Sequence, residues 1–165
     1  MTQKQAEALD KIIAKLLREH QESFREVAEY VISLGYMPTL KGRKKSYVDF
    51  SKSKINRTIL KIDAGLNAPK LAVKFFAIPV YSGVFEDTIK ERLAYWNKLG
   101  YEVHCFACGK CNGTQGYAVG LPDGKQGFLC GFGVVPLPSF CDENIKEVKE
   151  ALKIQDEFFV KQAVV

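Results

Sequence analysis

Four of the five cysteines fall within one stretch, His104–Gly133, spaced as Cys105-x2-Cys108-x2-Cys111-x18-Cys130. This pattern constrains the fold more than any other feature, because only a chain reversal brings Cys130 back to the other three. The reversal is legible: Thr114–Leu121 and Gln126–Cys130 read as strands, and Pro122-Asp123-Gly124-Lys125 between them is strong turn chemistry. Two residues between cysteines let a loop aim both sulfurs at one point. Glycine after such a pair accepts positive φ without a Cβ clash. Cys108-Gly109-Lys110-Cys111-Asn112-Gly113 has that arrangement, and Gly131 follows Cys130 in the same way.

Structural Zn²⁺ takes four ligands in a tetrahedron and favours thiolates. The stretch resembles a zinc ribbon, in which two knuckles on adjacent turns clamp one ion. The resemblance covers residues 104–133, and its second knuckle supplies Cys130 alone. The expected ligands are Cys105, Cys108, Cys111 and Cys130. Cys105 is the first choice for the fourth position, with His104 and Cys141 as alternatives. An iron–sulfur cluster competes, since Cys-x2-Cys-x2-Cys also occurs in cluster loops. So does a thiol redox pair, which would need to open a helix that Gly113, Thr114 and Gly116 do not favour. Buried cysteines without metal are the plainest reading.

A chain of 165 residues with a 47% hydrophobic fraction suits one domain, with the hairpin at 104–133 as a subdomain. No apolar run approaches a membrane span, and the start Met1-Thr2-Gln3-Lys4-Gln5 lacks an apolar signal segment. An odd cysteine count argues against a secreted disulfide scaffold, so the expectation is a cytoplasmic protein.

Apolar positions Leu9, Ile12, Ile13, Leu16, Leu17, Phe24, Val27, Ala28 and Val31 form one helical stripe. Two helices over 4–20 and 23–34, or one kinked helix, are predicted, with Ser23 and Glu26 as a capping box, His20 at the join and Gly35 as the stop. Ser46–Ser51, Ile55–Asp63 and Leu71–Ile78 read as an antiparallel meander of three strands. A third helix over 84–98 has Ser82 as its cap and Gly100 as its end. Tyr101–Phe106 is predicted to be a strand leading into the cysteines, and Phe132–Leu137 another after them. Asp142 is placed as the cap of a last helix over 143–161, with Cys141 a packed thiol beside it. The whole reads as α+β: a mostly antiparallel sheet with helices packed on one face, plus the zinc-ribbon-like hairpin.

Leu34-Gly35-Tyr36-Met37-Pro38-Thr39, the strands that follow and Lys74-Phe75-Phe76-Ala77 resemble the YdhG-like group of small uncharacterised bacterial domains, over residues 20–98. That resemblance implies a binding or accessory role. Phosphate-loop, dinucleotide and zinc-protease motifs are all missing from the sequence. His104 and Cys105 adjoin on a predicted strand, so their side chains point to opposite faces and cannot form a catalytic pair.

The net charge of +5 is concentrated in residues 41–61, which hold Lys41, Arg43, Lys44, Lys45, Lys52, Lys54, Arg57 and Lys61 against the single acid Asp49. With Tyr47 and Phe50 interleaved, the segment could track a phosphate backbone and stack bases. The competing reading is a solvated edge whose lysines discourage strand pairing. Tyr36, Phe75, Tyr81 and Trp96 could line a small-molecule pocket, though aromatics at such spacings commonly belong to a core. The leading functional expectation is a non-enzymatic binding or regulatory domain with one structural zinc. A nucleic-acid-binding protein and a thiol redox or iron–sulfur protein are the alternatives.

Overall fold

The computed structural model describes residues 1–42, 46–65, 69–81, 83–99, 111, 115–121, 124, 126–138 and 140–163. The predicted strand Tyr101–Phe106, the cap Ser82 and the helix end Gly100 lie outside the described residues. The chain is α+β. Helices α1 (Gln3–Ile13) and α2 (Arg18–Ser33) precede strands β1 (Met37–Lys41), β2 (Tyr47–Lys52), β3 (Arg57–Asp63) and β4 (Lys70–Val73). Helix α3 (Gly83–Lys98), strands β5 (Gly116–Gly120), β6 (Gln126–Cys130) and β7 (Val135–Leu137), and helix α4 (Ile145–Ala163) follow. The main sheet runs β1-β2-β3-β4-β7, antiparallel throughout, and β5-β6 form a separate antiparallel hairpin.

Cross-strand register explains the burial. Pro38, Phe50, Leu60, Val73 and Val135 lie in one row, and Leu40, Val48, Ile62, Leu71 and Leu137 in the next. Alternation of side chains puts both rows on one face, where α1 covers β1 and β2 while α2 and α4 pack together over β3. The facing residues Thr39, Lys41, Asp49 and Lys61 sit on the opposite side. The sheet has two strands beyond the predicted three-stranded meander: β1, which follows directly on the helix stop, and β7, which pairs with β4. Gly35, at φ +91, closes α2 in a Schellman motif: its N–H donates to Ile32 C=O at 2.9 Å, and the Tyr36 N–H to Val31 C=O at 3.2 Å.

The first two helices divide earlier than predicted. Leu17, extended and exposed, precedes α2, and the Gln21 side-chain amide donates back to the Leu16 carbonyl at 2.9 Å. Ser23 is buried inside α2 with its hydroxyl on the His20 carbonyl, so it caps nothing. The capping box instead opens α1, where the Gln5 N–H reaches the Thr2 hydroxyl and Gln5 Oε1 accepts from the Thr2 N–H. At the last helix, Asp142 lies within a 3₁₀ turn, and Asn144 Oδ1 accepts from the Cys141 N–H at 3.3 Å. Cys141 is exposed rather than packed. The third predicted strand also ends early. Beyond Val73 the chain turns inward, and Phe75 and Phe76 are buried together.

Phe75 joins the two sheets. Its ring lies 4.5 Å from that of Phe85 on α3 and 4.6 Å from that of Tyr117 on β5. Its N–H donates to the Tyr117 hydroxyl at 3.4 Å. Tyr36 and Phe75 are fully buried, and Tyr81 and Trp96 pack against the core, so these four aromatics are core rather than the walls of a pocket. Phe75→Ala is expected to destabilise the chain by about 3–5 kcal/mol, read as a lower urea midpoint. A loss below about 1 kcal/mol would show that the hairpin does not depend on this contact.

Candidate functional site

Strands β5 and β6 pair as a hairpin, with Cys130 at the end of β6. Gly116 at the start of β5 pairs with Cys130 at the end of β6. The Gly131 N–H donates to the Gln115 carbonyl at 3.0 Å, carrying the pairing one step toward Cys111. The approach is close: a Cβ on Gly131 would stand 2.5 Å from the Phe76 ring and 3.0 Å from the Gln115 carbonyl oxygen. Only glycine fits there without a shift of the chain.

Cys111 and Gly131 share the wall of a cavity of about 270 Å³. Its other walls are Asn56, Arg57 and Thr58 at the start of β3, Lys74 just after β4, and Gln115 and Phe132 at the base of the hairpin. The Gln115 side-chain amide donates to Gln162 Oε1 at 2.7 Å, tying that base to the last turn of α4. Asn56 adopts the left-handed conformation at φ +47, which ends a 3₁₀ turn at Ser53–Ile55 and sends Arg57 into β3.

Lys74 is only 5% exposed. Its Nζ donates to the Phe132 carbonyl at 2.8 Å and sits 5.7 Å from the centroid of the Phe159 ring, which the Arg57 guanidinium also faces at 5.8 Å. Burial pushes the ammonium down from its ordinary 10.5 to about 8; the Arg57 cation adds to the shift and the Cys130 side chain opposes it. Neither Lys74 nor Arg57 forms an ion pair with a carboxylate among the described residues. In the sequence Lys74 is the one cation of the apolar run Leu71–Ile78, which by itself does not mark it as a site residue.

Of the expected metal ligands, Cys111 and Cys130 are described, whereas Cys105 and Cys108 lie outside the described residues. Among the described residues no three His, Cys, Asp or Glu side chains converge. The basic segment is split. Arg43, Lys44 and Lys45 lie outside the described residues. Lys52 turns to α4 and pairs with Asp156 at 2.8 Å, Arg57 turns to the cavity, and Lys54 sits on the 3₁₀ turn. Lys41 stays on the open face, where Lys61 covers the Tyr47 ring at 3.7 Å. Phe50 is fully buried and unable to stack on a base.

Comparison of the chain with known protein families, with curated proteins and with solved structures finds no match. Among the described residues, no helix is long and apolar enough to cross a membrane.

The low pKa of Lys74 fixes the sign of a pH effect. Between pH 8 and 10.5 the unfolded chain holds this proton and the folded chain does not. Stability from this group therefore rises across that window and is lowest below pH 8. Replacing Lys74 by Met removes the effect. The stability of Lys74→Met relative to the unsubstituted chain is expected to fall by up to about 3 kcal/mol as pH rises from 7 to 10. Urea unfolding at both pH values checks this, and a pH-independent difference would contradict it.

Proposed function

We propose that this protein is a binding or regulatory domain carrying one structural zinc, held at the base of the β5-β6 hairpin by Cys105, Cys108, Cys111 and Cys130. The observation that carries the reading is the Gly116–Cys130 register, continued by the Gly131–Gln115 hydrogen bond toward Cys111. Cys130 ends β6, and Cys111 lines the same cavity as Gly131; this supports a site linking a knuckle to a returning strand. The donor set fits the ion chemically. Cysteines bind Zn²⁺ as thiolates, and of the four, Cys130 lies within the field of Lys74 while Cys111 lines the same cavity as Lys74 and Arg57. Four protein ligands would leave no open position for water, so the metal would hold the hairpin closed rather than activate a nucleophile.

Elemental analysis of the purified chain, paired with a count of reactive thiols, tests this. The expected result is about one zinc per chain, with Cys141 the readily alkylated thiol. Cys130→Ser and Cys108→Ser are expected to lose the metal, while Cys141→Ser keeps it. Iron with labile sulfide would replace zinc by a cluster. A metal-free chain, or full retention of metal in Cys130→Ser, would remove the proposal.

A further inference from the structure

The cavity beside the hairpin base contains two cations, Lys74 and Arg57, neither of which can itself be a ligand of the proposed zinc. Lys74 and Arg57 reach it from separate segments, and no carboxylate among the described residues neutralises either one. A buried ammonium beside a half-buried guanidinium with no counter-charge is costly, and such an arrangement persists where a third group offsets it. One donor of Lys74 is used by the Phe132 carbonyl, leaving two N–H groups on the ammonium. Arg57 offers a planar fork suited to oxyanions. Thr58 and Asn56 add short polar side chains to the same wall. At about 270 Å³ the space lies below the usual range for drug-sized ligands, so it suits a compact anion and not a polymer strand. Phe132, 63% exposed, provides an apolar rim.

We propose that this cavity binds a small oxyanion of phosphate type, clamped between Lys74 Nζ and the Arg57 guanidinium. The anion completes the charge balance of the corner, and any small organic group attached to it lies against Phe132. This site goes beyond the zinc reading and rests on residues of β3 and the segment after β4, not on the thiols.

The test is a titration of the ¹⁵N-labelled full chain with inorganic phosphate, phenyl phosphate and a short single-stranded DNA, followed by amide shifts, with metal content measured on the same sample. Saturable shifts at Thr58, Gln115 and Gly131 with inorganic phosphate are expected. Arg57→Gln is expected to weaken binding about tenfold or more, the usual loss for a hydrogen bond to a charged group, and Lys74→Met likewise. Arg57→Gln serves if Lys74→Met fails to fold. Tighter binding of phenyl phosphate identifies a phosphomonoester ligand, and equal binding identifies the free anion; both support the site. Absence of saturable shifts at those amides, or unchanged affinity in a folded variant, overturns it and leaves the cations to offset the sulfurs. Preference for the DNA, with shifts spreading to Lys41 and Lys61, also overturns it. Phosphate binding in a sample without zinc counts against the thiolate site alone.

Discussion

The contact between Phe75 and Tyr117 fastens the hairpin to the main sheet, and the geometry of the site depends on it. A two-stranded hairpin is marginal by itself in water. Here β5 gains its footing by placing Tyr117, fully buried, among Phe75, Phe76 and Tyr81. The Phe75 N–H, which has left the β4 ladder, is satisfied by the Tyr117 hydroxyl. Each residue thus answers a polar demand of the other within an apolar cluster, where an unpaired group would be costly. Burial pushes the Tyr117 phenol well above its ordinary range, so it stays a neutral hydroxyl able to accept that bond.

The same inward turn after β4 carries Lys74 with it. Val73 and Phe75 on either side are fully buried, which leaves the lysine little choice but to follow. Its stem is covered, and its head emerges at the corner shared by Phe132, Phe159 and Arg57. Packing of the aromatics therefore places a cation where a purely structural design would have preferred an apolar side chain. One helical turn before Phe159, Gln155 shows the same tension. It is completely buried, and its Oε1 accepts the Ala77 N–H at 3.0 Å. The chain leaving β4 thus has its backbone met by side chains from β5 and α4 in turn.

What could be seen in the sequence was the part governed by local periodicity. Strand β6 falls at the predicted residues, α3 begins one residue early, and the Gly116–Cys130 register follows from turn residues between two alternating runs. Strand β1 was missed because Met37-Pro38-Thr39-Leu40-Lys41 has little strand character of its own; pairing with β2 creates it. The break between α1 and α2 was misplaced because neither Gly nor Pro marks it, and Leu16 and Leu17 continue the apolar stripe into a turn. Likewise the basic segment looked continuous as a string. A register shift between Phe50 and Ser51 and the left-handed Asn56 send neighbouring cations to different sides, and no local pattern announces either. The cavity was invisible for the same reason: its residues are far apart along the chain.

That dispersal has a thermodynamic consequence. The corner is assembled from residues 56–58, from Lys74, from the two ends of the hairpin and from a ring on α4. No fragment of the chain contains it, so it vanishes whenever any one of these pieces swings away. Whatever occupies it must draw its affinity from the fully closed form, and by linkage must suppress every local opening that separates those pieces. With an oxyanion bound as proposed, occupancy and integrity would rise and fall together, and a small solute would set how long the molecule survives proteolysis.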